Sequence, residues 1–158
     1  MSDGKDDKTR INRVITRSGD DGRTGLADGS RIAKDHPRIQ ALGALDELNS
    51  GLGVLRARAL DDDLVEVESQ ADMLNAELAP LKEFVLPGGH PDAAWCHHCR
   101  TVARRAERDL IAVGDDDQVN PVSRAVLNRV GDLLFVMARA INLRTGTDEP
   151  QWVRRQDR

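Results

Sequence analysis

A glycine-rich segment near the N-terminus has the composition of a phosphate-binding loop. Four glycines fall in the eleven residues from Gly19 to Gly29, and glycine lets backbone N–H groups converge on phosphate oxygens. The segment is not a Walker A motif, because no Lys-Ser/Thr pair follows at the required spacing, and it lacks the acidic series of an EF-hand. Taken alone, it fits either a phosphate loop or an ordinary turn. The cationic side chains around it are Arg17, Arg23, Arg31 and Lys34.

Three arginines occupy one face of a predicted helix. Arg100, Arg104 and Arg108 recur every four residues, so they lie on the same side of an α-helix. This face has three interpretations: a solvated surface with acidic neighbours, an ion pair across an interface, or a polyphosphate site. The three arginines by themselves favour the solvated surface.

The run Cys96-His97-His98-Cys99 invites a metal or redox interpretation. On a helix the two cysteines share a side, while the histidines point around the turn. A structural zinc site needs four convergent ligands, and only His36 and His90 remain as other imidazoles. A thioredoxin-like role expects a βαβ context, which the sequence does not suggest. We therefore expect neither a metal site nor a redox role here.

Polar residues interrupt an apolar helical pattern towards the C-terminus. Asn128, Asp132 and Phe135 fall at i, i+4 and i+7. Buried Asn and Asp side chains need hydrogen-bond partners, so these residues are either structural or in contact with a ligand. Their spacing alone does not decide between the two.

Composition limits the class of protein. The length of 158 residues suits one domain, and an aromatic content of 3 % argues against an all-β sandwich or barrel. The net charge of −4 gives no reason to expect nucleic-acid binding. No apolar run approaches the ~20 residues of a membrane span. Because Met1 to Arg10 lacks an apolar signal core and two cysteines suit a reducing compartment, we expect a cytoplasmic protein that binds neither nucleic acid nor membranes.

Apolar residues recur with helical spacing in four segments. The first helix is predicted to start near Asp35, the second after the acidic run 61–63, the third around Pro91 and the fourth at the cap pair Asn120-Pro121. These segments predict an all-α, antiparallel bundle of four helices after the glycine-rich loop. The apolar stripe predicted for the last helix is Val122, Val126, Val130, Leu133, Met137 and Ile141.

The predicted domain organisation is simple. Residues 1–11 are polar and unpatterned, which predicts a disordered tail. Residues 12–153 are predicted to form a single helical domain, and 154–158 a short C-terminal tail.

Together the motifs resemble the PduO-type ATP:cob(I)alamin adenosyltransferases. The resemblance covers about 12–56 and 66–153, with five motifs in the order of that family. Five ordered motifs are far more specific than any one of them. The motifs are Thr16–Leu26; Lys34 and Arg38 with Gly43–Ser50; Phe84–Gly89; Arg100–Arg108; and Leu127–Phe135.

The resemblance implies a helical-bundle homotrimer with active sites between subunits. The implied reaction moves the 5′-deoxyadenosyl group of ATP to the cobalt of cob(I)alamin, with Mg²⁺ assisting. The products would be adenosylcobalamin and triphosphate, and an adenosylcobalamin-dependent enzyme would be a partner that receives the cofactor. Cobalt(I) is itself a strong nucleophile, so the protein needs only to orient C5′ and to neutralise the leaving triphosphate.

The resemblance also assigns roles to individual residues. Arg104, from the neighbouring subunit, and Asn128 would complete the ATP site. Asp46 and Arg100 would pair across the subunit interface. Phe84 would press on the lower face of the corrin and displace the lower axial ligand, which makes cobalt(II) easier to reduce. The triphosphate would lie against Thr16, Arg17, Gly19, Asp20, Gly22, Thr24 and Lys34.

One large feature departs from the family. Its members carry a further amphipathic helix after the first, whereas here Leu55–Leu60 runs almost directly into the acidic run 61–63. Loss of a helix exposes the apolar stripes that it covered. Two interpretations remain: an active adenosyltransferase with a compacted bundle, or a non-catalytic relative, either a cobalamin- or ATP-binding carrier or an impaired truncated form. Retention of the motif residues favours the first, and a generic structural bundle would explain neither the loop nor the arginine face.

Overall fold

The chain divides into two compact units, one ending at His36 and the other beginning at Pro37. The computed structural model describes residues 17–57, 67–81, 83–114 and 119–152. The predicted tails therefore lie outside the described residues, and the single domain predicted for 12–153 stays a prediction. Each unit is described by itself.

A small β-hairpin forms much of the described N-terminal unit. Strand β1 (Arg23–Gly25) pairs antiparallel with β2 (Arg31–Ala33). The turn between them is closed by a hydrogen bond from the Leu26 N–H to the Ser30 carbonyl at 2.8 Å, and Gly29 takes a φ of 85°. The sequence pattern predicted a loop here and missed both strands, because three residues are too few to show the alternation that marks a strand.

Four helices build the described part of the second unit, which confirms the all-α prediction. Asn120 caps the last helix as predicted, since its Oδ1 accepts a hydrogen bond from the Val122 N–H at 2.9 Å. His90 caps the third helix in the same way, through Nδ1 and the Asp92 N–H at 3.2 Å. Among the described helices, none is both long and apolar enough to cross a membrane. The helices are α1 (Pro37–Ala57), α2 (Val67–Ala76), α3 (Pro91–Ala112) and α4 (Pro121–Arg144).

Helix α3 is the central element of this unit. It packs against both α1 and α4, and α2 packs against α4. Small residues allow the close contact with α1: a Cβ added at Gly51 would lie 2.8 Å from Cys99 Sγ, and the Trp95 indole N–H donates to the Gly51 carbonyl at 3.0 Å. The buried core contains Ala44, Leu48, Leu55, Ala93, Cys96, Cys99, Val102, Ala103, Ala106, Leu127, Leu133, Leu134, Met137 and Ala138.

The apolar stripe predicted for α4 is wrong at its first two positions. Val122 is 63 % exposed and Val126 is 50 % exposed, whereas Leu133 and Ala140, on the same side of the helix, are buried. The described part of α2 has ten residues, about 15 Å, against twenty-four residues, about 36 Å, for α4. A helix of that length cannot follow the whole of α4, so only the later turns of this side are covered.

Two buried polar side chains of α4 hold irregular segments against the bundle. Arg139, 8 % exposed, forms an ion pair with Glu149 at 3.0 Å and donates from Nη2 to the Ala79 carbonyl at 2.8 Å. Asn142, 1 % exposed, accepts a hydrogen bond from the His90 N–H that precedes α3. These two residues therefore connect α4 to segments that no helix includes.

Substitution of Glu149 tests the buried ion pair. Glu149→Ala should lower the free energy of unfolding by about 3 kcal/mol, because it leaves the buried Arg139 guanidinium without its counter-charge. Glu77→Ala is the matched control, since it breaks an exposed pair with Arg144 (3.3 Å) and should cost less than about 1 kcal/mol. Urea unfolding followed by circular dichroism measures both, and equal losses would contradict the assignment.

Candidate active site

Backbone turns shape the predicted phosphate loop. The Asp20 N–H donates to the Arg17 carbonyl at 3.3 Å, and the Gly22 N–H donates to the Gly19 carbonyl at 3.2 Å. Arg17 (φ 60°) and Gly22 (φ 78°) both have left-handed backbone conformations. Turns that include such residues form concave groups of N–H donors, so the local geometry suits an anion.

Lys34 follows β2 and returns to the loop. Its Nζ donates to the Gly19 carbonyl at 2.8 Å, and its backbone N–H donates to the Gly22 carbonyl at 2.9 Å. A Cβ at residue 19 would lie 2.9 Å from this Nζ, so a glycine there lets the ammonium lie against the backbone. An ammonium has three donors, which leaves exposed Lys34 with donors for a ligand.

Asp21 is a structural carboxylate of the hairpin. It accepts a hydrogen bond from the Arg23 N–H at 3.0 Å and pairs with Arg31 at 3.1 Å. That backbone hydrogen bond, followed by the charges of the two arginines, lowers the pKa of Asp21. The neighbouring Asp20 is also exposed and is the acid that the resemblance assigns to the triphosphate.

Six of the seven residues predicted to contact the triphosphate lie on this turn and hairpin, so local structure brings them together. The seventh, Thr16, lies outside the described residues. Thr24 is half-buried within β1. The other five are Arg17, Gly19, Asp20, Gly22 and Lys34.

The arginine face of α3 contains two different environments. Arg100 is half-buried, and its guanidinium carbon lies 5.2 Å from the centre of the Phe135 ring on α4, a cation–π contact. Burial, followed by the charge of Arg104, lowers the pKa of Arg100, although a guanidinium remains charged. Arg104 and Arg108 are exposed. The solvated interpretation therefore describes Arg104 and Arg108 but not Arg100.

Asn128 belongs to a polar network between α3 and α4. Its Nδ2 donates to Glu107 Oε1 at 3.3 Å, and its Oδ1 accepts from Arg129 Nη1 at 2.8 Å. Arg129 also lies 3.5 Å from the exposed carboxylate of Asp132. Asn128 is half-buried, so its amide is oriented by neighbours while part of it stays accessible.

His97, from the Cys96–Cys99 run, is a buried histidine next to the arginine face of α3. It is 2 % exposed, and within the described part of the chain neither ring nitrogen has a hydrogen-bond partner. Its ring lies 6.1 Å from that of Phe135, edge to face. Burial, followed by the charge of Arg100, lowers the pKa of His97, which favours the neutral ring. The spacing of three residues between His97 and Arg100 could have predicted that both lie on the same side of α3.

Asp46 lies on an exposed face of α1. The next residue, Glu47, pairs with Arg105 of α3. Leu42, four residues before Asp46, is 46 % exposed on the same face. The expected pairing of Asp46 with Arg100 of another subunit stays a prediction.

Phe84 lies in the segment between α2 and α3 with its side chain presented to solvent. The residue is 81 % exposed. Its carbonyl accepts a hydrogen bond from the Trp152 N–H at 2.8 Å, and the Leu86 N–H donates to the Pro150 carbonyl at 2.7 Å. The aromatic ring is therefore carried by a loop that pairs with the C-terminal segment.

Cys96 and Cys99 face the core of the bundle. Both are free thiols and about 1 % exposed or less. Burial raises the pKa of Cys96 to about 12 and also raises that of Cys99. Within the described residues, no three His, Cys, Asp or Glu side chains converge as metal ligands would.

The cysteine pair should be unreactive in the folded protein. Both thiols have raised pKa values and little exposure. At pH 8 a disulfide reagent such as Ellman's reagent should therefore modify neither thiol at an appreciable rate. The unfolded chain in guanidinium is the control and should react at two thiols. Rapid modification of the native protein would contradict the buried assignment.

The model of the family described as cobalamin adenosyltransferase matches residues 14–67 and 57–141. The chain belongs to this family. It is 39 % identical to the cobalamin adenosyltransferase of Cupriavidus metallidurans, over 94 % of this chain and 98 % of the relative. It is 35 % identical to the corrinoid adenosyltransferase of Mycobacterium tuberculosis, over 84 % of this chain and 90 % of the relative.

The fold is also that of a solved PduO-type enzyme. The structure of a phenylalanine-to-alanine variant of the PduO-type ATP:corrinoid adenosyltransferase from Lactobacillus reuteri, complexed with cobalamin and ATP, superposes with a TM-score of 0.82. The two chains are 24 % identical, and the match covers 90 % of this chain and 100 % of the other. This likeness establishes the helical architecture.

Two findings bear on the departure predicted between α1 and α2, which stays a prediction. The two stretches of the family model overlap at 57–67, which is where these two helices are joined. The alignment with the Cupriavidus relative has 180 positions, and 94 % of 158 residues is about 149, so about 31 positions have no residue from this chain. That number of positions would be enough for one helix.

Proposed function

We propose that this chain is an ATP:corrinoid adenosyltransferase that transfers the 5′-deoxyadenosyl group of ATP to the cobalt of cob(I)alamin. The products are adenosylcobalamin and triphosphate. The observation that carries the proposal is membership of the cobalamin adenosyltransferase family together with near end-to-end similarity to a relative of that name. The cationic glycine loop and the exposed aromatic ring supply the two kinds of contact that this reaction needs.

The reaction asks for positioning and charge neutralisation. The cobalt(I) electron pair forms the bond to C5′, the bond from C5′ to the triphosphate oxygen breaks, and triphosphate leaves with the electron pair. No protein nucleophile is needed, so the chain contributes by aligning C5′ with cobalt and by stabilising the negative charge on the leaving group.

The N-terminal turn is proposed to contact the triphosphate of ATP. The backbone donors around Gly19 and Gly22, the ammonium of Lys34 and the guanidinium of Arg17 would contact the triphosphate. Arg104, exposed on α3, would be contributed by a neighbouring subunit. Asn128 would hydrogen-bond to ATP, as the family resemblance implies, through an amide that Glu107 and Arg129 orient.

Mg²⁺ is proposed to bind together with the triphosphate chain of ATP. Mg²⁺ is commonly held by one or two carboxylates together with substrate phosphates, and an exposed carboxylate in the phosphate loop fits that use. Asp20 is the residue that would contact the ion. When bound, Mg²⁺ would reduce the negative charge of the triphosphate.

The corrin end of the proposed site is formed by Phe84. A benzyl ring offers no lone pair to cobalt, so a ring against the lower face can replace an axial ligand without coordinating the metal. Loss of that ligand makes cobalt(II) easier to reduce. The exposure of the ring supports this role, because the face that would meet the corrin is not used for packing within the chain.

The assembly proposed is a homotrimer with sites between subunits. Asp46 and the apolar Leu42 share one exposed face of α1, and half-buried Arg100 provides a cation for an acidic partner. An Asp46–Arg100 ion pair between subunits would give each of these two charges a partner of opposite sign. An adenosylcobalamin-dependent enzyme remains the proposed recipient of the product, and the cytoplasm the proposed location, because the reaction uses ATP and strongly reducing cobalt(I).

The second candidate is a non-catalytic cobalamin- or ATP-binding relative. The alignment positions that this chain leaves unmatched favour it, as does the exposure of Val122 and Val126. Such a protein would bind one substrate and release no triphosphate.

An anaerobic assay separates the two candidates. The purified protein is mixed with ATP, Mg²⁺ and chemically reduced cob(I)alamin, and the corrin spectrum is followed for adenosylcobalamin. Repeated turnover with stoichiometric triphosphate supports the enzyme. Binding without turnover in a folded protein supports the carrier.

Arg104 tests the nucleotide end of the site. Arg104→Ala should raise the Kd for MgATP about 10- to 100-fold, because a charge-assisted hydrogen bond contributes roughly 1.5–3 kcal/mol. Arg105→Ala is the matched control, since Arg105 pairs with Glu47 of the same chain, and its affinity should stay near that of the wild type. Titration calorimetry measures both, and equal affinities for the two variants would remove Arg104 from the site.

Phe84 tests the corrin end. Phe84→Ala should slow the reaction that starts from cob(II)alamin and a reductant at least about tenfold more than the reaction that starts from cob(I)alamin, a difference of ~1.4 kcal/mol. Leu86→Ala, an exposed apolar residue of the same loop, is the control and should leave the ratio of the two rates unchanged. If Phe84→Ala slows both reactions equally, the axial-ligand role is wrong.

A further inference from the structure

The ring of Phe84 has little packing of its own, so its place depends on the backbone that carries it. With 81 % of the residue exposed, contacts of the side chain within the chain contribute little to its position. The site nonetheless requires a ring at a defined place, because small displacements at a reacting centre are costly. The contacts of the loop from Phe84 to His90 must therefore supply the order.

The C-terminal segment holds the first half of this loop. Val85 and Gln151 form an antiparallel β-bridge, flanked by the Leu86–Pro150 hydrogen bond at 2.7 Å and the Trp152–Phe84 hydrogen bond at 2.8 Å. A two-stranded contact of this length has little stability alone. It needs an attachment to the bundle.

Asn142 of α4 provides an attachment for the second half. Its Oδ1 accepts a hydrogen bond from the His90 N–H at 2.9 Å, and its Nδ2 donates to the Gly88 carbonyl at 3.3 Å. A primary amide offers an acceptor and a donor side by side, so one buried, uncharged side chain satisfies both backbone groups. An apolar residue of similar volume would leave both without a partner.

The loop backbone lies directly against this amide. A Cβ added at Gly89 would fall 2.3 Å from the Asn142 Oδ1, and Gly89 has a φ of 93°. On the other side, the Asn142 backbone carbonyl accepts the Thr147 N–H at 2.9 Å, where the C-terminal segment begins. Asn142 therefore contacts both segments that hold Phe84.

We propose that Asn142 is a positioning residue for Phe84. It does not contact either substrate and acts by fixing the loop that presents the aromatic ring to the corrin. This inference rests on the role proposed for Phe84. The reaction from cob(II)alamin should therefore depend on Asn142 more strongly than the reaction from cob(I)alamin.

The first test is Asn142→Ala in the full chain. Amide hydrogen exchange at Leu86, His90 and Trp152 should become about tenfold faster, because the variant loses two buried hydrogen bonds. The ratio of the cob(II)alamin rate to the cob(I)alamin rate should fall on the order of tenfold or more. Met137→Ala is the matched control: Met137 is buried on the same helix, its thioether offers the loop no N–H donor, and the ratio should stay unchanged.

A second variant perturbs the same contact from the loop side, so the proposal remains testable if Asn142→Ala does not fold. Gly89→Ala adds a methyl group where the amide lies and strains a left-handed residue. It should reproduce the faster exchange and the lower rate ratio. Gly88→Ala is its control, since a Cβ there would meet Pro150 at an ordinary 3.4 Å and should change neither measurement.

A double variant identifies the pathway of the effect. If Asn142 acts through Phe84, Asn142→Ala should lower the rate ratio no further in a Phe84→Ala background. Additive effects would overturn the proposal, and so would unchanged amide exchange in Asn142→Ala or an equal change of the ratio in Met137→Ala. If Phe84→Ala alone leaves the ratio unchanged, the proposed role of Phe84 fails, and amide exchange still decides whether Asn142 holds the loop.

Discussion

Helix α3 must pack on two helices at once while keeping a charged surface accessible, and this constraint orders the helical unit. Its contact with α1 is so close that a Cβ at Gly51 would collide with the sulfur of Cys99, which leaves little freedom for α3 to rotate. Because side chains follow the backbone at 100° per residue, this packing also sets the direction of Arg100 and Arg104. Arg100 is carried against the Phe135 ring, and Arg104 is left exposed. The small residues of the core and the cations of the proposed site are thus two consequences of one helix orientation.

Helix α4 holds in place chain segments that have no regular secondary structure. Its last turns carry two buried polar residues, Arg139 and Asn142, in positions where an apolar residue would be expected. Both use their buried hydrogen-bonding groups on chain segments outside the helices, Arg139 on Glu149 and the segment after α2, and Asn142 on the loop before α3. The polar side chains of Arg139 and Asn142 can be buried because they have hydrogen-bond partners. These partners are backbone carbonyl oxygens, a backbone N–H and a carboxylate. The Asn142 contacts are the ones proposed to set the position of the exposed Phe84 ring.

Family membership favours the enzyme, whereas the alignment positions that this chain leaves unmatched favour the non-catalytic candidate. The chain retains the residues on which the proposed chemistry depends, yet about 31 positions of the alignment with the Cupriavidus relative have no residue from this chain. Exposure of Val122 and Val126 shows that part of the apolar surface of α4 is uncovered within the described chain. The proposed contacts to ATP come from the N-terminal turn, the hairpin and the surfaces of α3 and α4. None of these contacts requires a residue at the unmatched positions. Their loss therefore bears on scaffold and assembly more directly than on the reacting groups.

The sequence by itself determined the features that depend on near neighbours along the chain. Apolar spacing defined four helices, Asn120 capped α4 as its side-chain chemistry requires, and the turn that brings Gly19 to Lys34 could be read as a local anion site. Only the tertiary structure decided which side of each helix is covered, so the exposure of Val126 could not be predicted. It also decided the contacts between distant residues, such as the Asn142 amide against the backbone of His90, 52 positions away. Such contacts depend on how helices pack, and local spacing carries no information about the shape of the partner surface.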